Sequence, residues 1–273
     1  MRKLLIYLVI LVLCGPALAP QEPMLGELPD ASQFPMPIYL GLFNEGAGGI
    51  VNDLSGNKST GTLVGDTHWV GSALSFDGTS DYITLGKRVL DYTKPFTIIA
   101  RIKSDTVSGS HHIVTTAAPA QLYRGAAYLY FTASVGKSNV FVAGEWIQVA
   151  VTFDGTDMTL YADGRWLVTT THSIAQPTGT TNIGAYGAGL QSWDGLIDYV
   201  AMYQYCLAAQ QIAQLYQNPW PWFVEDPIEL WAIEEAPTGS QVIFINFSSV
   251  GYGFGGFGLI LLLAIIKKLR NRK

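Results

Sequence analysis

Residues 146–153, Trp-Ile-Gln-Val-Ala-Val-Thr-Phe, place Ile147, Val149, Val151 and Phe153 on one side of an extended chain and Gln148, Ala150 and Thr152 on the other. An apolar side chain at every second position is the period of a half-buried β-strand, not of a helix. Asp154-Gly155 follows, then a second strand-like run over 158–162, then Asp163-Gly164, then a third over 166–171. Asp-Gly between such runs signals a hairpin, because glycine accepts the positive φ that a tight turn demands. A three-stranded meander is therefore expected here.

The same reading gives strands over 73–76, 82–85, 96–103, 112–116, 128–132, 139–142, 181–184 and 195–203. In the third of these Phe96, Ile98, Ala100 and Ile102 alternate with Thr97, Ile99, Arg101 and Lys103. Many short strands at turn spacing indicate an all-β, two-sheet antiparallel sandwich. One short helix is expected over 207–216, with Leu207, Ile212 and Leu215 as its apolar stripe. Trp146 is expected in the core.

The two ends read differently. Arg2 and Lys3 precede an uncharged run from Leu4 to Leu13, and Ala17 and Ala19 supply small residues before a cut, so 1–19 reads as a secretory signal. Residues 20–37 are Pro-rich and read as a linker. After the folded body at 38–217, an acidic and aromatic stretch at 218–241 reads as a stalk. Residues 242–266 carry no formal charge and are long enough to span a bilayer as a helix. The basic tail at 267–273 marks the cytoplasmic side. The expectation is an exported single-pass membrane protein, with the body outside.

Charge and cysteine narrow the partners. Between residues 21 and 241 nine basic residues face 21 acidic ones. A nucleic-acid backbone needs Lys and Arg, so nucleic acid is excluded as a partner. Cys206 is the one cysteine beyond the signal, so no internal disulfide is expected and the apolar core, or a metal, must supply stability.

An ordered set of segments resembles a known family. Leu42-Phe43-Asn44-Glu45-Gly46-Ala47-Gly48 and Asn52-Asp53-Leu54-Ser55-Gly56-Asn57 are similar to the opening of laminin-G-like (LamG) jelly rolls of the concanavalin A-like lectin/glucanase superfamily. Ala73 to Ile83, Phe96-Thr97-Ile98, Gly144 to Gly155, Leu160 to Gly164 and Gly195 to Tyr203 resemble its later hallmarks, in order. Ala162 and Ala201 depart from the usual pattern, where Val and a charged residue are common. The resemblance implies a concanavalin A-like jelly roll. Its members bind glycans or proteins, often with calcium, and some sit beside catalytic domains.

By the same resemblance Asp198 is the expected ligand of one structural Ca2+, with Glu45 and Asp77 completing the site. Calcium wants six to eight oxygens, so three carboxylates with backbone carbonyls would suit it. The other reading of Asp77-Gly78 is a simple turn. For glycan binding the expected residues are Tyr123, Tyr186 and Trp193, with Tyr128 beside them near loops or strand ends. Aromatic residues of a sandwich also pack in its core, so both readings stand at this point. His111-His112 reads as a strand end.

No chemistry-bearing motif accompanies them. The Glu-x-Asp-x-x-Glu strand of glycan hydrolases, the Gly-x-Ser-x-Gly elbow and His-Glu-x-x-His are all missing. The expected function is a membrane-anchored, non-catalytic recognition module for a carbohydrate or a surface protein. The alternative is a structural or assembly module of a cell envelope or virion without glycan binding. A glycoside hydrolase ranks behind both.

Overall fold

A computed structural model describes residues 34–132 and 135–219, with two further backbone strands, Leu230–Glu235 and Gln241–Ile245. The signal at 1–19, the linker up to residue 33, most of the stalk and residues 246–273 lie outside the described residues.

In chain order the elements are β1 (Tyr39–Gly41), β2 (Ile50–Val51), β3 (Gly61–Val64), β4 (His68–Val70), β5 (Ala73–Asp77), β6 (Tyr82–Thr84), β7 (Phe96–Ser104) and β8 (Ser110–Thr115). Then come β9 (Gln121–Gly125), β10 (Tyr128–Phe131), β11 (Val135–Lys137), β12 (Trp146–Phe153), β13 (Asp157–Ala162), β14 (Arg165–Thr171), β15 (Asn182–Ile183) and β16 (Asp194–Tyr203). Helix α1 (Ala209–Gln217) follows, and β17 (Leu230–Glu235) pairs with β18 (Gln241–Ile245).

The first sheet runs β14-β13-β12-β7-β16-β5-β4, with β1 also paired to β16. The second runs β11-β10-β9-β8-β15-β6-β3-β2. Between them lies one apolar core. Antiparallel pairing of β12 with β7 sets Ile147 opposite Ile102, Val149 opposite Ala100, Val151 opposite Ile98 and Phe153 opposite Phe96. All eight are core residues, facing Ile113, Leu122, Leu129, Phe131 and Ile183 of the second sheet. Phe96 ties the layers together, its ring 5.5 Å from Phe153 and 5.7 Å from Phe131 across the gap. Each buried Val, Ile, Leu or Phe among them contributes about 1.5–3 kcal/mol.

The outer face of the first sheet is roofed. Leu40, Ile99, Ala150, Tyr161, Tyr199, Ala201 and Tyr203 pack beneath Leu207 and the Ile212/Leu215 stripe of α1. The β13–β14 turn reaches under that helix: Asp163 (φ 47°) and Gly164 (φ 73°) are both left-handed, as a type I′ turn needs. A Cβ on Gly164 would come within 3.0 Å of Ala213 Cα and Tyr216 Cβ, so the position needs glycine twice over. Among the described residues no helix covers the outer face of the second sheet.

The sandwich and its helix agree with the sequence reading; several details differ. Residues 139–142 are not a strand, and the chain pairs instead at β11. Trp146 is half-buried on the outer face and not in the core, because it shares the parity of Gln148. Val242 to Ile245, read as the start of a membrane helix, belong to strand β18. Among the described residues no helix is long and apolar enough to cross a membrane.

Candidate functional site

The open face of the second sheet carries a line of aromatic rings. Along β9 and β10, Leu122, Leu129 and Phe131 point into the core, so strand alternation turns Tyr123, Tyr128 and Tyr130 outward. Register then aligns them across strands: His112 of β8 faces Tyr123, Tyr123 faces Tyr130, and Tyr130 faces Gly136 of β11. Ring centroids stand 5.0 Å apart for His112–Tyr123, 5.0 Å for Tyr123–Tyr130 and 5.6 Å for Tyr130–Tyr128, with interplanar angles of 26°, 16° and 10°. Tyr186 adds a fifth ring, 5.3 Å from His112. Offset stacking of this kind is favourable in itself.

Two glycines make room for it. A Cβ on Gly136 would collide with the Tyr130 ring, and one on Gly125 would come within 2.9 Å of its Cε2. Tyr130 thus lies flat along the sheet, over glycines on both neighbouring strands.

The loop at 184–192 sets Tyr186 in place. Thr115 Oγ1 donates to the Ala185 carbonyl at 2.7 Å, Asn182 Nδ2 to the Gly187 carbonyl at 2.6 Å, and the His112 backbone N–H to the Gln191 carbonyl at 2.9 Å. At this end of the row two buried acceptor or donor atoms, His112 Nδ1 and Asn182 Oδ1, have no partner. Burial pushes the His112 pKa down to about 4, so its ring is neutral at neutral pH. Burial, then the neighbouring Tyr130, raise the Tyr123 pKa.

Of the expected glycan residues, Tyr123 and Tyr186 join this row and Tyr128 closes its exposed end, 42 % accessible. Trp193 does not. It is 0 % exposed, its Nε1 donates to the Leu196 carbonyl at 3.3 Å, and its ring packs by Phe141 and Arg124. Its backbone N–H donates to the Gly184 carbonyl at 2.6 Å, and complete burial of the ring leaves it no face for a ligand.

The expected calcium carboxylates are not brought together. Asp198 sits at a β-bulge between Ile197 and Tyr199, turned to the outer face of the first sheet, where Arg101 Nη1 donates to it at 2.6 Å. The guanidinium supplies the counter-charge that a cation was expected to supply. Glu45 Oε1 accepts from the Asn52 backbone N–H at 2.7 Å, and Asp77 Oδ1 from the Thr79 N–H at 2.7 Å, which is a turn. Among the described residues no three His, Cys, Asp or Glu side chains are grouped to hold a metal. The residues present do not fit the expected site.

Sequence reasoning missed Tyr130, the two glycines and the place of His112. The outward Tyr positions of 121–125 and 128–131 carried a signal, but their alignment depends on pairing.

No curated protein matches the sequence. Among solved structures, Trypanosoma rangeli sialidase in complex with sialic acid is similar at a TM-score of 0.54 and 16 % identity, over 65 % of this chain and 32 % of that one. The chain thus spans about a third of the sialidase. Domain 4 of AbnA, a GH43 extracellular arabinanase from Geobacillus stearothermophilus in complex with arabinotriose, is similar at 0.52 and 18 % identity, over 61 % of this chain and 92 % of that one. The botulinum neurotoxin serotype D binding domain is similar at 0.51 and 13 % identity, over 67 % of this chain and 51 % of that one. Identities this low establish the fold alone. A family model described as the concanavalin A-like lectin/glucanases superfamily matches residues 77–213. With its two-sheet jelly roll and that match over half its length, the chain belongs to the concanavalin A-like lectin/glucanases superfamily.

Proposed function

We propose that the protein is a non-catalytic carbohydrate-binding module, displayed outside a membrane, whose ligand lies along the row Tyr186–His112–Tyr123–Tyr130–Tyr128. One observation carries this reading: four tyrosine rings, with the buried His112 ring between Tyr186 and Tyr123, are aligned on a sheet face that no helix among the described residues covers. The C–H faces of a sugar stack on such rings, and its hydroxyls find the phenols beside them. The likeness to an arabinanase domain solved with arabinotriose supports a saccharide as ligand class. The sequence lacks the Glu-x-Asp-x-x-Glu strand of glycan hydrolases, which supports binding without hydrolysis. The uncharged run after Ile245, residues 246–266, supports an anchor, being about 30 Å long as a helix.

A glycan array probed with the full chain in detergent tests the ligand. Wild type binds at least one oligosaccharide, and Tyr123→Ala and Tyr128→Ala each weaken it roughly 3–10-fold, the worth of a lost stacking contact. No bound glycan, or equal affinity in both variants, removes the reading. Self-association without glycan hits would favour an assembly module. Extraction from membranes by carbonate would remove the anchor.

A further inference from the structure

A second cleft lies on the opposite sheet, where the end of α1 crosses β12 and the β13–β14 turn. It holds about 360 Å³ and is lined by Arg101, Trp146, Ile147, Gln148, Asp163 and Tyr216. Its floor is Gln148, 4 % exposed. Gln148 Nε2 donates to the Tyr199 hydroxyl at 2.6 Å and to the Leu215 carbonyl at 3.2 Å. A carbonyl only accepts, so the amide cannot be turned round. That leaves Gln148 Oε1 buried without a donor. Buried polar atoms are nearly always satisfied, and one left open beside a cleft calls for a donor from outside.

The walls define what that donor belongs to. Asp163 Oδ1 accepts from the Gln148 backbone N–H at 2.9 Å, which holds a carboxylate at the wall of the cleft. Arg101 lies 4.6 Å over the Trp146 ring and Lys103 5.8 Å from it. Two cations, Arg101 and Lys103, thus stand against two carboxylates, Asp163 and Asp198, and the balance favours a neutral ligand. Hydroxyls both donate to Gln148 Oε1 and accept from Arg101. A compact ring bearing several of them meets every group present, and Tyr216, 47 % exposed, offers an aromatic wall.

We propose that this cleft binds one neutral sugar residue, independently of the aromatic row on the other sheet. The full chain would then meet saccharide on both faces, and linked binding would raise its avidity.

The test is a titration of the 15N-labelled full chain in detergent micelles with glucose, galactose, mannose and arabinose. The Trp146 indole N–H signal, assigned by Trp146→Phe, and the Gln148 side-chain amide are followed. At least one sugar moves both saturably at millimolar concentration. Tyr216→Ala weakens that response about fivefold, the worth of one aromatic contact. Tyr123→Ala leaves it unchanged, which separates this cleft from the row. The proposal is overturned if neither signal moves with any sugar up to about 50 mM, far above a useful affinity. It is equally overturned if Tyr216→Ala titrates like wild type, if Tyr123→Ala abolishes the response, or if only a peptide of residues 218–229 produces it.

Discussion

The Tyr130 ring lies across Gly136 so closely that no side chain fits at that position. The pair is a cross-strand neighbour pair of β10 and β11, and it is what lets the aromatic row lie flat. Gly136→Ala is expected to lift Tyr130 and cost about 1–3 kcal/mol, the usual range for overpacking. In a Tyr130→Ala background the same change should cost little. Urea denaturation of the four proteins measures this coupling, and additive effects would mean that the contact does not matter.

His112 makes stability depend on pH. Its folded pKa, about 4, lies below the ordinary 6.5, so between those values the unfolded chain binds the extra proton. Stability from this residue is therefore complete above about pH 6.5 and falls as pH drops toward 4. The total is on the order of 3 kcal/mol, from the size of the shift. Thermal melts from pH 7.5 to 4 should show a steeper loss in wild type than in His112→Gln, and parallel curves would contradict the assignment.

Arg124 is buried completely, with Nη1 donating to the Ser108 carbonyl at 3.0 Å and the Ala126 carbonyl at 3.1 Å, and its guanidinium 5.8 Å from the Trp193 ring. Burial lowers its pKa. Arg124→Ala opens a cavity beside Trp193 and strips two carbonyls, an expected loss of about 3 kcal/mol or more. Arg124→Met restores volume and should recover part of it. A loss under ~0.5 kcal/mol, within the range of ordinary surface changes, would show the site to be slack.

Asp198 and Arg101 form a partly exposed ion pair, so Asp198→Ala should lower stability only by about 1 kcal/mol or less. Adding a chelator should leave the difference between wild type and variant unaltered. A difference that appears only without chelator would restore calcium at this carboxylate.

The strands with clean alternation were legible from the order of residues alone. Phe96 to Lys103 and Trp146 to Phe153 show their inward faces in the sequence, because side-chain parity is a local property of an extended chain. The Asp163-Gly164 turn was legible for the same reason, since its backbone angles admit few residues. Short segments such as β1, β2 and β4 were not, having two or three residues each and no period to read. The aromatic row, the burial of Trp193 and the ion pair of Asp198 were decided only in three dimensions. Each depends on which strand lies beside which, and at what register: Tyr123 and Tyr130 meet because β9 and β10 are paired residue for residue, and Asp198 turns to Arg101 because β16 bulges there. Parity belongs to the chain; adjacency belongs to the sheet.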